Sequence, residues 1–347
     1  MYNRNHTISS FGWSIILLFS FFTSCTDNEE DGVTADRIAV KVEMGAGNSI
    51  INPTRALGDP TYSVDRVWIL PFKKIAENLD NSDVNFVPEY SSSLQIDVNS
   101  FPIKSMTMLL SSSSTYKILA FGFKRTDYSS SDPNNVNYSF SVGAVATPVT
   151  LANFHMKMAK TTVVPELFTS VCYCYNNGVL YGTAFKPSLL QDISLRGELT
   201  RIVSGLTVQV TNIPTYVTSV SLVAEQLAKA IQPIGGIPTV WQTSGDGDNR
   251  VLNSQIPASG TVSFSNLILP TTSSRSTKLY LDFKYGTLTE RYTIKIPDLT
   301  NVSVSNSITF TTNQVVKITG SYATINLGFV LTATINLDDN QWDGLQN

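Results

Sequence analysis

Ala323-Thr324-Ile325-Asn326-Leu327-Gly328-Phe329-Val330-Leu331-Thr332-Ala333-Thr334-Ile335-Asn336-Leu337 carries an apolar side chain at every second position. A repeat of two is that of a strand with one face buried and the other wet, and it does not match the 3.6-residue repeat of a helix. At about 3.3 Å per residue the run would extend roughly 50 Å, far beyond a usual strand of five or six residues. A break is therefore expected, and Gly328 is its place. One strand lies before it. A terminal strand, 329–337, follows with Phe329, Leu331, Ala333, Ile335 and Leu337 on its apolar face, either closing its own sheet or lying in the sheet of another molecule.

The same pattern recurs upstream. Ile38, Val40, Val42 and Met44 alternate with Arg37, Ala39, Lys41 and Glu43, which predicts a half-buried strand over 37–44. Val67-Trp68-Ile69-Leu70 is apolar on both faces, so it predicts a central strand covered on each side. Further strands are expected around 94–99, 116–123, 148–158 and 171–180, the last near the turn Asn176-Asn177-Gly178. Beyond them, Ile202, Leu206, Val208 and Val210 share one face, and Val220, Leu222 and Ala224 continue the alternation. Leu279, Leu281, Phe283 and Tyr285, then Gly286, then Tyr292, Ile294 and Ile296 read as a hairpin. Residues 225–234 could hold a short helix, ended by Gly235, Gly236 and Pro238. The expected fold class is all-β, with two tandem β-sandwich domains at 37–190 and 191–347.

Composition agrees with a secreted β-protein. Charged residues are 15% of the chain, while hydroxyl-bearing and β-branched residues are plentiful. After residue 24 the chain carries 23 basic and 27 acidic residues, a net charge of −4, which argues against a nucleic-acid partner.

The chemistry of a catalyst is missing from the pattern. His155 is the one histidine after residue 24, its surroundings alternate like a strand, and no G-x-S-x-G elbow accompanies it. There is no Gly-rich phosphate loop. Asp246-Gly247-Asp248-Asn249 clusters oxygens as a calcium loop does but lacks the later bidentate Glu, so a solvated turn is expected. Cys172 and Cys174 would share one face of a strand, where a bond between them is strained. Buried free thiols are expected there, and the pair lacks neighbouring Cys or His to complete a metal shell. No enzyme activity, no cofactor and no metal are expected.

The N-terminus decides the compartment. Arg4 precedes an apolar run, 11–22, that is too short to span a bilayer, and small residues lead into Cys25. Residues 1–24 are read as a signal peptide. Thr23-Ser24-Cys25 resembles a bacterial lipobox, in which the cysteine thiol takes a diacylglycerol and becomes the first mature residue. Two or more acyl chains hold a protein to a membrane stably. The acidic tether 25–36, with Asp27, Glu29, Glu30 and Asp31, resembles the tag that sends lipoproteins of Bacteroidales to the cell surface. Next to the first strand, residues 45–60 are rich in Gly, Asn and Pro, an exposed loop that offers Arg55 to proteases.

In order along the chain stand the lipobox-like Cys25, the first strand, Thr54-Arg55-Ala56, Val64-Asp65-Arg66-Val67-Trp68-Ile69-Leu70-Pro71-Phe72, Pro165-Glu166-Leu167-Phe168, Ser194-Leu195-Arg196-Gly197-Glu198-Leu199-Thr200-Arg201-Ile202, and Ile335-Asn336-Leu337 with Gln341-Trp342-Asp343-Gly344. This series resembles the fimbrillins, the subunits of the type V pili of Bacteroidales. The resemblance implies two transthyretin-like Greek-key sandwiches, a location at the outer membrane and cell surface, and other pilus subunits as partners. It also implies that a trypsin-like protease cuts after an arginine in the loop following the first strand, here between Arg55 and Ala56. The displaced strand would then be the one with Ile38, Val40, Val42 and Met44, lost together with lipidated Cys25. A neighbour's strand would fill the groove, and Phe329, Leu331, Ala333, Ile335 and Leu337 would be its donor set. Anchoring subunits keep lipid and first strand, whereas stalk and tip subunits lose both. A surface glycan-binding lipoprotein is the alternative, with Trp241 either a stacking platform or ordinary core.

Overall fold

Arg37–Ala46 forms β1 and obeys its sequence pattern: Val40, Val42 and Met44 are buried, while Arg37, Ala39, Lys41 and Glu43 are exposed. The computed structural model describes residues 36–46, 64–99, 101–129, 138–140, 143–144, 147–158, 164–242, 251–272, 274–297, 304–305, 307–327 and 330–336. The signal segment, Cys25, residues 25–35 of the tether, Arg55, Ala56, the Asp246 to Asn249 turn, Phe329 and Leu337 lie outside them. The described strands belong to one compact unit, Ala35–Asn347.

β1 joins a large sheet with β2 (Arg66–Lys74), β3 (Phe86–Pro88), β4 (Leu94–Asp97), β5 (Ile103–Ser111), β6 (Tyr116–Phe123), β7 (Phe168–Asn176), β8 (Val179–Gly182), β9 (Ala184–Phe185) and β10 (Ile193–Arg201). The main path runs β3-β2-β6-β7-β10-β1-β5, with β8 on β7, β9 on β6 and β4 on β2. The Asn177-Gly178 turn joining β7 to β8 has both residues at positive φ, +49° and +77°, the backbone that a two-residue hairpin loop needs.

β2 is buried on both faces, as its unbroken apolar run predicts. Val67 and Ile69 join a cluster with Val40, Val42, Met44, Ile118 and Leu195, whereas Trp68, Leu70 and Phe72 join another with Phe121, Phe154 and Met156. β6 divides in the same way. A second sheet covers the outer cluster, built from 128–129, 138–140, Met156–Met158, Ala228–Gln232 and Ile237–Trp241.

The C-terminal part packs two four-stranded sheets. One contains β11 (Ser204–Thr211), Val262–Ile268, β12 (Gln314–Ser321) and β13 (Val330–Asn336); the other contains Ser219–Glu225, Val251–Gln255 and the hairpin Lys278–Tyr285 with Leu288–Thr293. Leu206, Val208 and Val210 meet Leu222, Leu281 and Phe283 between them, all fully buried. The hairpin matches its sequence expectation, with Tyr285 paired to Leu288 around Gly286 at φ +58°. The fold is all-β, and among the described residues no helix exceeds the six-residue 3-10 segment Tyr322–Leu327.

That segment corrects the expected strand before Gly328. β13 lies antiparallel beside β12, so the chain must reverse between them, and Tyr322–Leu327 makes the reversal with Ile325 tucked into the core. The short helix considered at 225–234 is instead the strand Ala228–Gln232. A helix that short has little stability of its own, and the strand pairs on both edges while burying Ala228, Ala230 and Ile231. The run 148–158 is likewise interrupted by a 3-10 turn at Leu151–Asn153. The division at 190/191 stays a proposal; β10, which follows it, is hydrogen-bonded to β1 and β7.

Candidate assembly groove

β1 is an interior strand of its sheet although it is the first of the described strands. It runs parallel to β10, from Lys41 opposite Ser194 to Ala46 opposite Leu199, and antiparallel to β5, from Arg37 opposite Ser111 to Met44 opposite Ile103. Its inward residues Val40, Val42 and Met44 are at most 1% exposed, and Ile38 packs partly buried beside them. Each fully buried side chain of this size contributes roughly 1.5–3 kcal/mol.

Charges add little to that hold. Lys41 Nζ lies 3.2 Å from Asp192 and Glu43 lies 3.4 Å from Arg196 Nε, with every partner about half or more exposed. Exposed pairs of this kind contribute at most about 1 kcal/mol. The apolar face and the two backbone ladders therefore retain β1. Taking it out would uncover a trough of buried side chains and two rows of unpaired backbone groups, which is a template for another strand.

The floor of the trough includes both cysteines, which are free and buried as expected. Burial pushes each thiol up to about 12. Cys172 Sγ lies 3.8 Å from Met44 Sδ, directly beneath β1.

Leu331, Ala333 and Ile335 of the expected donor set stand at alternate positions of β13, which is paired to β12 of its own chain as the last strand of its sheet. The structure thus places the expected displaced strand inside one sheet and the expected donor at the edge of another. Sequence reading missed one feature of the groove's surroundings, the ion pair between Arg201 at the end of β10 and Glu166 just before β7, at 2.7 Å. Both residues sit in quoted motifs, but only the fold brings them together.

On the outer face of β7 and β10 an open cleft of 670 Å³ is lined by Thr169, Tyr173, Tyr175, Arg196 and Thr200, and by Gly45 at the end of β1. The Arg196 guanidinium stands 4.5 Å over the Tyr175 ring. Trp241 is half-buried, packs against the core cluster of β2, and has the Arg275 guanidinium 5.7 Å over its ring. His155 contacts the Asn153 carbonyl through Nδ1 at 2.9 Å. Among the described residues no group of three or more His, Cys, Asp or Glu is arranged to hold a metal ion.

No protein-family model and no curated protein matches the sequence. Among solved structures, the chain is similar to the fimbrial anchor protein Mfa2 from Porphyromonas gingivalis at 13% identity, covering 86% of this chain and 97% of that one with a TM-score of 0.45. It is similar to a candidate adhesin from Bacteroides thetaiotaomicron at 11% identity, over 89% and 98% of the two chains with a TM-score of 0.44. A candidate polysaccharide-binding protein from the same organism is similar at 12% identity, over 82% and 93%, with a TM-score of 0.42.

Proposed function

We propose that this chain is a structural subunit of a cell-surface pilus, not an enzyme, that is exported as a lipoprotein through Cys25 and assembles by strand exchange. Cleavage between Arg55 and Ala56 releases β1 with its lipid, and residues 329–337 of a neighbouring subunit occupy the vacated trough. The observation that carries this reading is the position of β1. An N-terminal strand with its apolar face buried between β5 and β10 is followed in sequence by a Gly/Asn/Pro-rich stretch containing Arg55.

Its partners are other pilus subunits, the outer membrane through the lipid, and a host or bacterial surface receptor. The test is treatment of the purified protein with a trypsin-like protease, followed by N-terminal sequencing and SDS electrophoresis. Cleavage after Arg55 with ladders of SDS-resistant polymer is expected; protein cut there that stays monomeric removes strand exchange. On cells, a blocked start at Cys25 marks an anchor-like role and a start at Ala56 a stalk or tip. The glycan-binding alternative at Trp241 has less support, because the ring packs on the core and its face lies under Arg275. Glycan binding abolished by Trp241→Ala would restore it.

A further inference from the structure

Backbone ladders and a two-residue apolar repeat leave a strand free to slide by two residues with its apolar face still inward. Something else must hold β1 in register. Along β10 the side chains facing the trough come from Leu195 and Leu199, and between them Gly197 contributes none. Met44 stands opposite Gly197. A Cβ on Gly197 would lie 2.9 Å from Met44 Cε, 2.7 Å from Ser170 Oγ and 3.1 Å from Cys172 Sγ, so the space that the glycine leaves is already filled by these three side chains.

We infer that the trough has one shape-selective position, a slot over Gly197 walled by Ser170 and Cys172, which accepts the end of the Met44 side chain and sets the register of the strand that occupies the trough. Sliding β1 by two residues one way brings Val42, too short to fill it, over the slot and drives Met44 against Leu199; sliding it the other way brings Ala46 there and sets Met44 against Leu195. On the other edge the pairing with β5 is irregular between Val42 and Met44, so the pair Met44–Ile103 stands apart from the regular ladder of Arg37 to Val42. For the assembled form the role of the slot rests on the strand-exchange reading: the incoming 329–337 strand of a second copy must put one of its alternate apolar side chains into the same slot.

Cys172 reports on the slot, since it is 1% exposed beneath Met44. The experiment is maleimide labelling of the full mature chain, resolved peptide by peptide by mass spectrometry. Gly197→Ala overfills the slot and Met44→Ala empties it. Each single variant is expected to speed Cys172 labelling roughly tenfold or more, with Cys174 lagging behind. The double variant is expected to label more slowly than the two single effects combined would give, because the shortened side chain at 44 relieves the 2.9 Å contact that the added methyl would make with Met44 Cε, although the one with Ser170 Oγ remains. A Gly197→Ala chain that labels like wild type, or a double variant as labile as the two singles combined, overturns the slot.

A second arm separates the slot from the exchange reading. In protein cut after Arg55, Cys172 labelling should rise and should fall again when a synthetic peptide of residues 329–337 is added. If β1 stays bound after cutting, exchange fails and the variant results still decide the slot. If the peptide binds while Cys172 remains reactive, the slot does not set the register of the incoming strand.

Discussion

Arg201 Nη2 stands 2.7 Å from Glu166 Oε1, with the arginine side chain wholly buried and the glutamate one-tenth exposed. The pair fastens the end of β10 to the segment entering β7, and the guanidinium also lies 5.0 Å over the Phe168 ring and 3.5 Å from Asn313 Oδ1. Two motifs far apart in sequence, together with the turn before β12, thus meet at one cation.

Removing one member leaves the other charged and buried. Arg201→Ala or Glu166→Ala is expected to lower stability by about 3–5 kcal/mol, while Arg201→Met with Glu166→Leu recovers most of the loss. Denaturant titration of the two singles and the double checks this; a double variant no better than the worse single would sink the account.

Glu77 ties its loop to Thr115. Burial raises its carboxyl, but hydrogen bonds from the Thr115 hydroxyl at 2.8 Å and N–H at 2.7 Å, with Lys186 at 3.4 Å, outweigh that and hold it below the ordinary 4.5. A carboxylate lowered in the folded state stabilises above its unfolded value, and the effect fades as pH falls through the folded one. Since the side chain is 40% exposed, the effect is small. Glu77→Gln should therefore flatten the loss of unfolding midpoint below about pH 4.5 and change little on the alkaline side. An unchanged acid limb would remove the claim.

Gly236 has φ +61°, and a Cβ there would lie 2.5 Å from Thr312 Cγ2 and 3.3 Å from Ile202 Cβ. Gly286 has φ +58° with open space around it. Gly286→Ala should cost roughly 1–2 kcal/mol for the left-handed backbone alone, and Gly236→Ala should add about 1–3 kcal/mol of overpacking. Thermal melts of the two variants compare them; equal losses would contradict the crowding.

Leu331→Asp with Ile335→Asp should abolish the polymer ladders expected after cleavage at Arg55, because two charges on the apolar face of the donor cannot enter a buried trough. Electrophoresis after protease treatment is the readout. Ladders of undiminished length would exclude 329–337 as the donor.

Much of the fold was legible in local pattern. β1, the doubly buried β2, the Asn177-Gly178 turn and the hairpin around Gly286 all follow from alternation and turn chemistry, which act over a few residues. The misread segments failed for tertiary reasons. Tyr322–Leu327 alternates like a strand but is where the chain turns back, and Ala228–Gln232 was captured by strands on both edges. The candidate site was half visible: the apolar residues of β1 and the two free cysteines could be named, whereas Gly197 appeared only as one letter of a motif.

The amino-acid order by itself determined an all-β chain and which residues of β1, β2 and the Gly286 hairpin turn inward. Only the tertiary structure decided that β1 is an interior strand parallel to β10, that Arg201 finds Glu166, and that Met44 rests over a glycine. The physical reason is range. Side-chain alternation is set by the pleat within one strand, while neighbours, direction and register depend on which distant segments fit together when the core closes.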